Sequence, residues 1–69
     1  MKISARNQLK GTVTHIEIGA VMAEVTVDIG NGNEVVAAIT KHSVESLGLK
    51  EGSAVVAIIK STEVIIGTE

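Results

Sequence analysis

Apolar residues occupy every second position from Val21 to Ile29, and this period of two is the feature that most restricts what the chain can fold into. Polar residues fall between them at Glu24, Thr26 and Asp28. Successive side chains of a β-strand point to opposite faces, so the pattern predicts a strand with one buried and one exposed face. We expect the buried face to carry Val21, Ala23, Val25, Val27 and Ile29.

The segment before this strand alternates as well. We expect one face of a first strand to carry Thr12, Thr14, Ile16 and Ile18, and the other to carry Val13, His15 and Glu17. Two turns follow in the sequence, IGA at 18–20 and GNGN at 30–33. Gly and Asn tolerate the positive φ angles of tight hairpin turns, so EVVAAIT at 34–40 is predicted to be a third, hairpin-connected strand.

The period changes in the segment TKHSVESLGLKEG, which begins at Thr40. Thr40 suits the N-cap of a short helix, and Gly48 suits the left-handed position that ends one. Val44 and Leu47 lie three residues apart, on one face of such a helix. The segment therefore predicts about two helical turns.

The segment EGSAVVAIIK at 51–60 predicts a fourth strand that is apolar on both faces. Both faces of such a strand have to be covered, and a neighbouring subunit is one way to cover the second. A short fifth strand is predicted at EVII, residues 63–66. Five strands with one short helix between the third and fourth predict an all-β fold, a small five-stranded Greek-key barrel of the oligonucleotide/oligosaccharide-binding (OB) kind.

The chain is short for an independently stable fold. Its 69 residues are predicted to form one domain, residues 1–69, and a chain of this size buries a modest share of its surface. Cysteine is absent, which excludes disulfides and thiolate zinc sites as sources of stability. We therefore expect the protein to associate with further copies of itself.

Charge and composition exclude several kinds of partner. Six basic and eight acidic residues give a formal charge of −2, so there is no general basic surface for nucleic acid. The chain has no Phe, Tyr or Trp on which bases could stack. No apolar run is long enough to span a membrane, and the N-terminus lacks the apolar core of a signal peptide, so we expect a cytoplasmic protein without nucleic-acid or membrane partners.

The sequence does not favour an enzyme. It lacks the Gly-x-Ser-x-Gly nucleophile motif and any other recognisable catalytic signature. The two histidines, His15 on a strand and His42 at a helix start, are interpreted as structural or surface residues. The GNGN segment lies between two strands and not before a helix, so it is a turn and not a phosphate-binding loop.

Three clusters of hydrogen-bond donors remain. They comprise Ser4, Arg6 and Asn7; Lys60, Ser61 and Thr62; and Thr40 and Ser43. No carboxylate interrupts any of them, and a tetrahedral oxyanion needs cationic and hydroxyl donors around it. The free N–H groups at a helix start would add to such a site. Taken singly, each cluster is more simply explained as a strand-end charge, a surface side chain or a helix cap, and only convergence of the clusters would favour a site.

The segments SARNQLKGTV, VTVDIGNGNEVVAAIT and SVESLGLKEGSAVVAIIKSTEVII resemble, in order and spacing, the molybdate-binding Mop proteins, or molbindins. The resemblance covers nearly the whole chain, and SARNQ together with KST at this separation is its most specific part. It implies a homohexamer, built as a trimer of dimers, that holds molybdate and also tungstate between subunits. The implied oxyanion site consists of Ser4, Arg6, Lys60 and Ser61 from one subunit, with Thr40 and Ser43 from its neighbour.

The resemblance also implies a second kind of oxyanion site near the threefold axis. We assign to it Asn7, His42, Gly19 and Ala20. The implied function is intracellular storage and homeostasis of molybdenum, with molybdate as the ligand and no organic cofactor. Two alternatives stay open: an oligomeric structural or adaptor barrel without an ion, and molybdopterin binding, for which the chain offers no aromatic side chain.

Overall fold

The structure, a computed structural model, describes all 69 residues. Its elements are the strands β1 (Asn7–Ile18), β2 (Met22–Gly30), β3 (Asn33–Thr40) and β4 (Ala54–Ile59), the helix α1 (Lys41–Leu47), and a single 3₁₀ turn at Ser61–Glu63. The only α-helix is seven residues long, and no helix of the structure could cross a membrane.

The four strands form one curled antiparallel sheet in the order β3-β2-β1-β4. Three consecutive strands connected by tight turns, with the fourth returning beside the first, make a Greek key. The helix α1 lies between β3 and β4 in sequence and packs against β2 and β3. The predicted all-β class, the Greek-key order and the position of the helix are confirmed.

The predicted fifth strand at residues 63–66 is wrong for the single chain. Glu63 ends the 3₁₀ turn, and the residues from Val64 to Glu69 form no helix or strand. A segment rich in strand-forming residues becomes a strand only where a neighbouring strand pairs with its backbone. The turn at Ser61–Glu63 leaves this segment without such a neighbour, so the chain contributes four strands to the predicted barrel.

The first strand departs from simple alternation at a β-bulge. The register of β1 against β2 shifts between Val13 and His15. Val13 is 1% exposed and Ile16 packs on the core, whereas Thr14 and His15 are both exposed. The expectation that Thr14 and Ile16 share a face is therefore wrong, because an extra residue in one strand moves the following side chains to the opposite face.

The core is small and aliphatic. Five residues are buried: Val13, Ala23, Val25, Val27 and Val44. The second strand behaves as predicted from Ala23 onwards, with Ile29 packed against this core. Many large apolar side chains stay exposed, which is the surface expected of a chain that associates with other copies. They are Met1, Ile3, Ile18, Val21, Met22, Val36, Leu47, Ile58, Val64, Ile65 and Ile66.

The predicted turn at GNGN and the predicted helix are both present. Gly30, Asn31 and Gly32 have φ angles of 98°, 55° and 76°. Thr40 is the N-cap of α1, and its Oγ1 accepts the Ser43 N–H at 3.0 Å. Of the predicted apolar face of this helix, Val44 is buried and Leu47 is 68% exposed, so only Val44 reaches the core.

Replacing Gly11 by Ala is expected to destabilise the fold. Gly11 lies on β1 opposite Val55, and a Cβ there would stand 2.7 Å from Val27 Cγ1 and against the Asp28 carbonyl. Overpacking of this kind costs about 1–3 kcal/mol in the free energy of unfolding. Urea unfolding followed by far-ultraviolet circular dichroism measures the loss. Gly67→Ala is the control, since its added Cβ meets nothing within 4 Å.

The cap of α1 gives a second prediction. Thr40→Ala removes the oxygen that accepts the Ser43 N–H. We expect it to lower the free energy of unfolding by about 1 kcal/mol. Thr40→Ser keeps the hydroxyl and is expected to stay close to the wild type. Equal unfolding midpoints for the two variants would show that the cap contributes nothing.

Candidate oxyanion-binding site

The N-terminal segment and the end of β4 meet at one edge of the sheet. Asn7 and Ile59 are paired at the end of the β1–β4 ladder, so the residues before Asn7 and after Ile59 leave the sheet side by side. Between them lies a cavity of about 320 Å³, here named the Arg6–Lys60 cavity. It is lined by Ser4, Ala5, Arg6, Lys60, Ser61 and Thr62.

Local hydrogen bonds hold both walls of this cavity. The Asn7 amide donates from Nδ2 to the Ile59 carbonyl at 3.1 Å and ties β1 to β4 at the last rung of their ladder. Gln8 Nε2 donates to the Ala5 carbonyl at 2.6 Å and holds the N-terminal segment. The Glu63 N–H donates to the Lys60 carbonyl at 2.9 Å and closes the 3₁₀ turn. The backbone on either side of the cavity is thus positioned by the sheet.

The Arg6–Lys60 cavity is cationic and free of carboxylates. Its lining carries two cations and three hydroxyls and no acidic side chain. None of the side-chain hydrogen bonds in the chain involves Ser4, Arg6, Lys60 or Ser61. Thr62 is different, because its Oγ1 lies 3.5 Å from Glu63 Oε1. Two cations and two hydroxyls are therefore available to a ligand, and together they suit an anion.

The second predicted cluster, Thr40 and Ser43, is a hydrogen-bonded pair. Their hydroxyl oxygens are 2.7 Å apart, and Thr40 Oγ1 also accepts the Ser43 N–H. One of the two hydroxyl protons is used between the pair, so the pair can offer one proton outwards. Two of the first three N–H groups of α1 already have acceptors. The Lys41 N–H donates to the Val21 carbonyl at 2.8 Å, and the Ser43 N–H donates to Thr40 Oγ1, so the His42 N–H is the one left for a ligand.

A second cavity of about 500 Å³ adjoins this pair. Its lining combines a cation, an imidazole and a carboxylate with apolar side chains, so it is less selective for anions than the Arg6–Lys60 cavity. The lining residues are Ala20, Val21, Thr40, Lys41, His42 and Glu45. Sequence reasoning did not single out Lys41 as a site residue, although its position directly after the cap was a usable signal.

The two clusters lie at opposite ends of the sheet. Thr40 pairs with Met22 and lies near Ile18, the last residue of β1. Lys60 follows Ile59, which pairs with Asn7, the first residue of β1. The twelve residues of β1 separate these ends along the strand, and Thr40 and Lys60 line two different cavities. One chain therefore brings together Ser4, Arg6, Lys60 and Ser61 and leaves Thr40 and Ser43 elsewhere.

The residues assigned to the second oxyanion site are divided in the same way. Asn7 follows Arg6 at the start of β1 but does not line the Arg6–Lys60 cavity, and its amide group donates to the Ile59 carbonyl. Gly19 uses its N–H within the turn, where it donates to the Met22 carbonyl at 2.8 Å. Ala20 and His42 line the larger cavity at the other end. Their joint role stays a prediction.

Comparison with known proteins gives a consistent family assignment. Residues 3–66 match the TOBE domain family. The chain is 52% identical over 66 residues to molybdenum-pterin-binding protein 1 of Clostridium pasteurianum, and this match covers 96% of the chain and 97% of that protein.

Two solved structures are similar along the whole fold. One is a molybdate-binding protein from Sporomusa ovata, with a TM-score of 0.91 and 47% identity, over 99% of this chain and 100% of that one. The other is the cytoplasmic molybdate-binding protein ModG with molybdate bound, with a TM-score of 0.94 and 48% identity, over 100% of this chain and 49% of that one. The chain therefore belongs to the TOBE-domain family of molybdenum-pterin-binding (Mop) proteins.

Proposed function

We propose that this protein binds molybdate in the Arg6–Lys60 cavity and serves as an intracellular store of molybdenum. The observation that carries the proposal is the convergence of Arg6, Lys60, Ser4 and Ser61 in one carboxylate-free cavity, with no hydrogen bond inside the chain to occupy them. Binding, and not catalysis, is the activity that this donor set supports. The similarity to molybdate-binding proteins from Sporomusa ovata and to ModG supports the choice of ligand.

The donors of the cavity match the chemistry of molybdate and tungstate. Both are tetrahedral dianions at neutral pH, nearly equal in size, and they accept hydrogen bonds through every oxygen. Arg6 offers a planar set of N–H donors and Lys60 a compact charge, while the serines add directed O–H donors. Sulfate is smaller, so a site that two copies close around molybdate is expected to bind sulfate more weakly. Phosphate carries a proton near neutral pH, and the cavity lining has no carboxylate to accept it.

The proposed site is completed by Thr40 and Ser43 of a second copy. In one chain they lie at the opposite end of β1, so only a neighbouring subunit can bring them to the Arg6–Lys60 cavity. A homohexamer built as a trimer of dimers provides such contacts. No organic cofactor is required, and a protein with this function is placed in the cytoplasm, as ModG is described to be.

Exposed apolar side chains next to each cluster support this shared arrangement. Ile3 and Val64, which are 44% and 46% exposed, adjoin the Arg6–Lys60 cavity in sequence. Val21 and Met22, which are 70% and 48% exposed, lie beside Thr40. When two copies meet, these side chains exclude water from around the polar site, and charged hydrogen bonds are stronger where water is excluded.

Pterin binding is the alternative that the relatives' names raise. A pterin ring usually needs an aromatic or a shaped apolar pocket with a few polar anchors, and the chain has no aromatic residue. The Arg6–Lys60 cavity has one apolar side chain among its six lining residues. An adaptor barrel without an ion is the other alternative, and the titrations below separate it from molybdate binding.

Isothermal titration calorimetry of anion-free protein with molybdate is the direct test. The wild type is expected to bind molybdate and tungstate with similar affinity and sulfate far more weakly. Lys60→Ala removes a charge-assisted hydrogen bond and is expected to weaken molybdate binding about 10- to 100-fold, since such bonds contribute about 1.5–3 kcal/mol.

The matched control for this titration is Lys50→Ala. Lys50 is exposed and lines none of the cavities, so its removal changes net charge equally and is expected to leave affinity unchanged. Light scattering checks that assembly is the same in all three proteins. Equal affinities for molybdate and sulfate, or equal losses in the two lysine variants, would defeat the proposal.

Mixed oligomers test whether two copies share each site. Ser43→Glu places a carboxylate in the Thr40 cluster, and it keeps the helix stable because Thr-x-x-Glu is a capping box. When each variant is alone, we expect Ser43→Glu to lose molybdate binding and Lys60→Ala to bind about 10- to 100-fold more weakly than the wild type. When they are unfolded together and refolded at equal amounts, about one quarter of the sites is expected to combine an intact cluster from each copy and to bind normally.

A site contained in one chain predicts a different result for this mixture. Each chain would then carry its own defect, and refolding the two variants together would restore no binding. Wild-type protein taken through the same unfolding and refolding is the control for recovery.

A further inference from the structure

Asn7 belongs to the SARNQ segment, but the proposed binding site uses only Ser4 and Arg6 of that segment. The Asn7 side chain is half-buried and lines none of the cavities. Its Nδ2 donates to the Ile59 carbonyl at 3.1 Å, and no other hydrogen bond of a side chain joins β1 to β4. This placement points to a role other than contact with a ligand in the Arg6–Lys60 cavity.

The bond acts on the peptide group that leads into Lys60. The Ile59 carbonyl, the Lys60 N–H and the Lys60 Cα lie in one peptide plane, so a donor on the carbonyl oxygen orients the whole plane. On its other side, the Lys60 carbonyl accepts the Glu63 N–H at 2.9 Å. Both peptide groups that flank the Lys60 Cα are therefore held, and they fix the direction in which its side chain leaves the backbone.

The end of the β1–β4 ladder is where such a bond has the most effect. Asn7 and Ile59 form its last rung, and the ends of a backbone ladder open at a lower free energy than its centre. Arg6 and Lys60 adjoin this rung with like charges, and no carboxylate lines the cavity between them. In the absence of an anion their repulsion favours opening of the rung. The Asn7 amide opposes that opening.

We propose that Asn7 is a positioning residue for oxyanion binding, which holds the peptide group between Ile59 and Lys60 so that the Lys60 side chain lines the Arg6–Lys60 cavity. Asn7 touches no ligand in this role and acts through Lys60. The inference rests on the proposed function and adds to it a residue outside the cavity lining.

A double-mutant cycle, read by isothermal titration calorimetry with molybdate, tests this role. Asn7→Leu keeps the size and branching of the side chain and removes the donor. It is expected to weaken molybdate binding about 3- to 10-fold, because a neutral hydrogen bond contributes less than a charged one. In the Lys60→Ala background the same substitution is expected to change the affinity less than about 2-fold, since the group that Asn7 positions is gone.

Other roles of Asn7 predict a different cycle. A structural role that does not act through Lys60, or direct contact of Asn7 with an oxyanion, would give equal losses in the two backgrounds. Asn7→Ala removes the same donor with a smaller side chain and is expected to repeat the pattern of Asn7→Leu. Light scattering and far-ultraviolet circular dichroism check that all variants assemble and fold alike.

The matched control is Thr14→Val. Thr14 Oγ1 also donates from β1 to a backbone carbonyl, that of Thr26 at 3.4 Å. Thr14 lines none of the cavities and lies away from the β1–β4 rung. Its replacement is expected to leave molybdate affinity unchanged in both backgrounds.

Amide relaxation measured by nuclear magnetic resonance without any anion locates the effect. In Asn7→Leu the order parameters of the Lys60 and Ser61 amides are expected to fall from about 0.85, the rigid range, toward about 0.6. Those of Val13 and Val27, in the buried core, are expected to stay unchanged. Unchanged order at Lys60 would contradict a positioning role.

The outcomes separate this inference from the proposed function. If the wild type binds molybdate and Asn7→Leu binds it equally well, or loses affinity equally in both backgrounds, the positioning role is overturned and the molybdate site stands. If the wild type shows no heat with molybdate, the proposed function is refuted and the role of Asn7 in binding falls with it.

Discussion

The antiparallel pairing of β1 with β4 is the interaction on which the rest of the structure depends. It joins residues that are 52 positions apart in sequence, at the rung where the Asn7 amide also donates to the Ile59 carbonyl. Because Arg6 precedes Asn7 and Lys60 follows Ile59, this backbone pairing brings Arg6 and Lys60 to the same edge of the sheet. The same strand pairs with β2 on its other side and contributes Val13 to the core. One strand therefore couples the core of the fold to the proposed anion site.

The second constraint is the small size of the core. Only five residues are buried, all of them Val or Ala, so each contributes a modest hydrophobic free energy. Much of the remaining apolar surface lies beside the two donor clusters and at Val64, Ile65 and Ile66. Under the proposed function, association of copies would cover this surface and would also complete the oxyanion site, so that ligand binding would be linked to assembly by mass action.

Local patterns predicted the hairpins, the capped helix and the strands because their causes are local. Asn31 and Gly32 suit positive φ, Thr40 carries a capping oxygen, and alternation from Ala23 to Ile29 reports a half-buried strand. The β-bulge after Val13 was not predictable, because it arises from the fit of β1 between two neighbours. The fifth strand failed for a related reason, since a strand exists only where another strand pairs with it.

The sequence by itself determined the chemistry: the absence of aromatic and cysteine side chains, the period of the strands, and the three donor clusters that no carboxylate interrupts. Its resemblance to the Mop proteins also indicated the family. Only the tertiary structure decided which donors meet. It brought Ser4, Arg6, Lys60 and Ser61 to one cavity and kept Thr40 and Ser43 at the other end of β1. The physical reason is that pairing between distant strands depends on register and edge availability, which no single segment encodes.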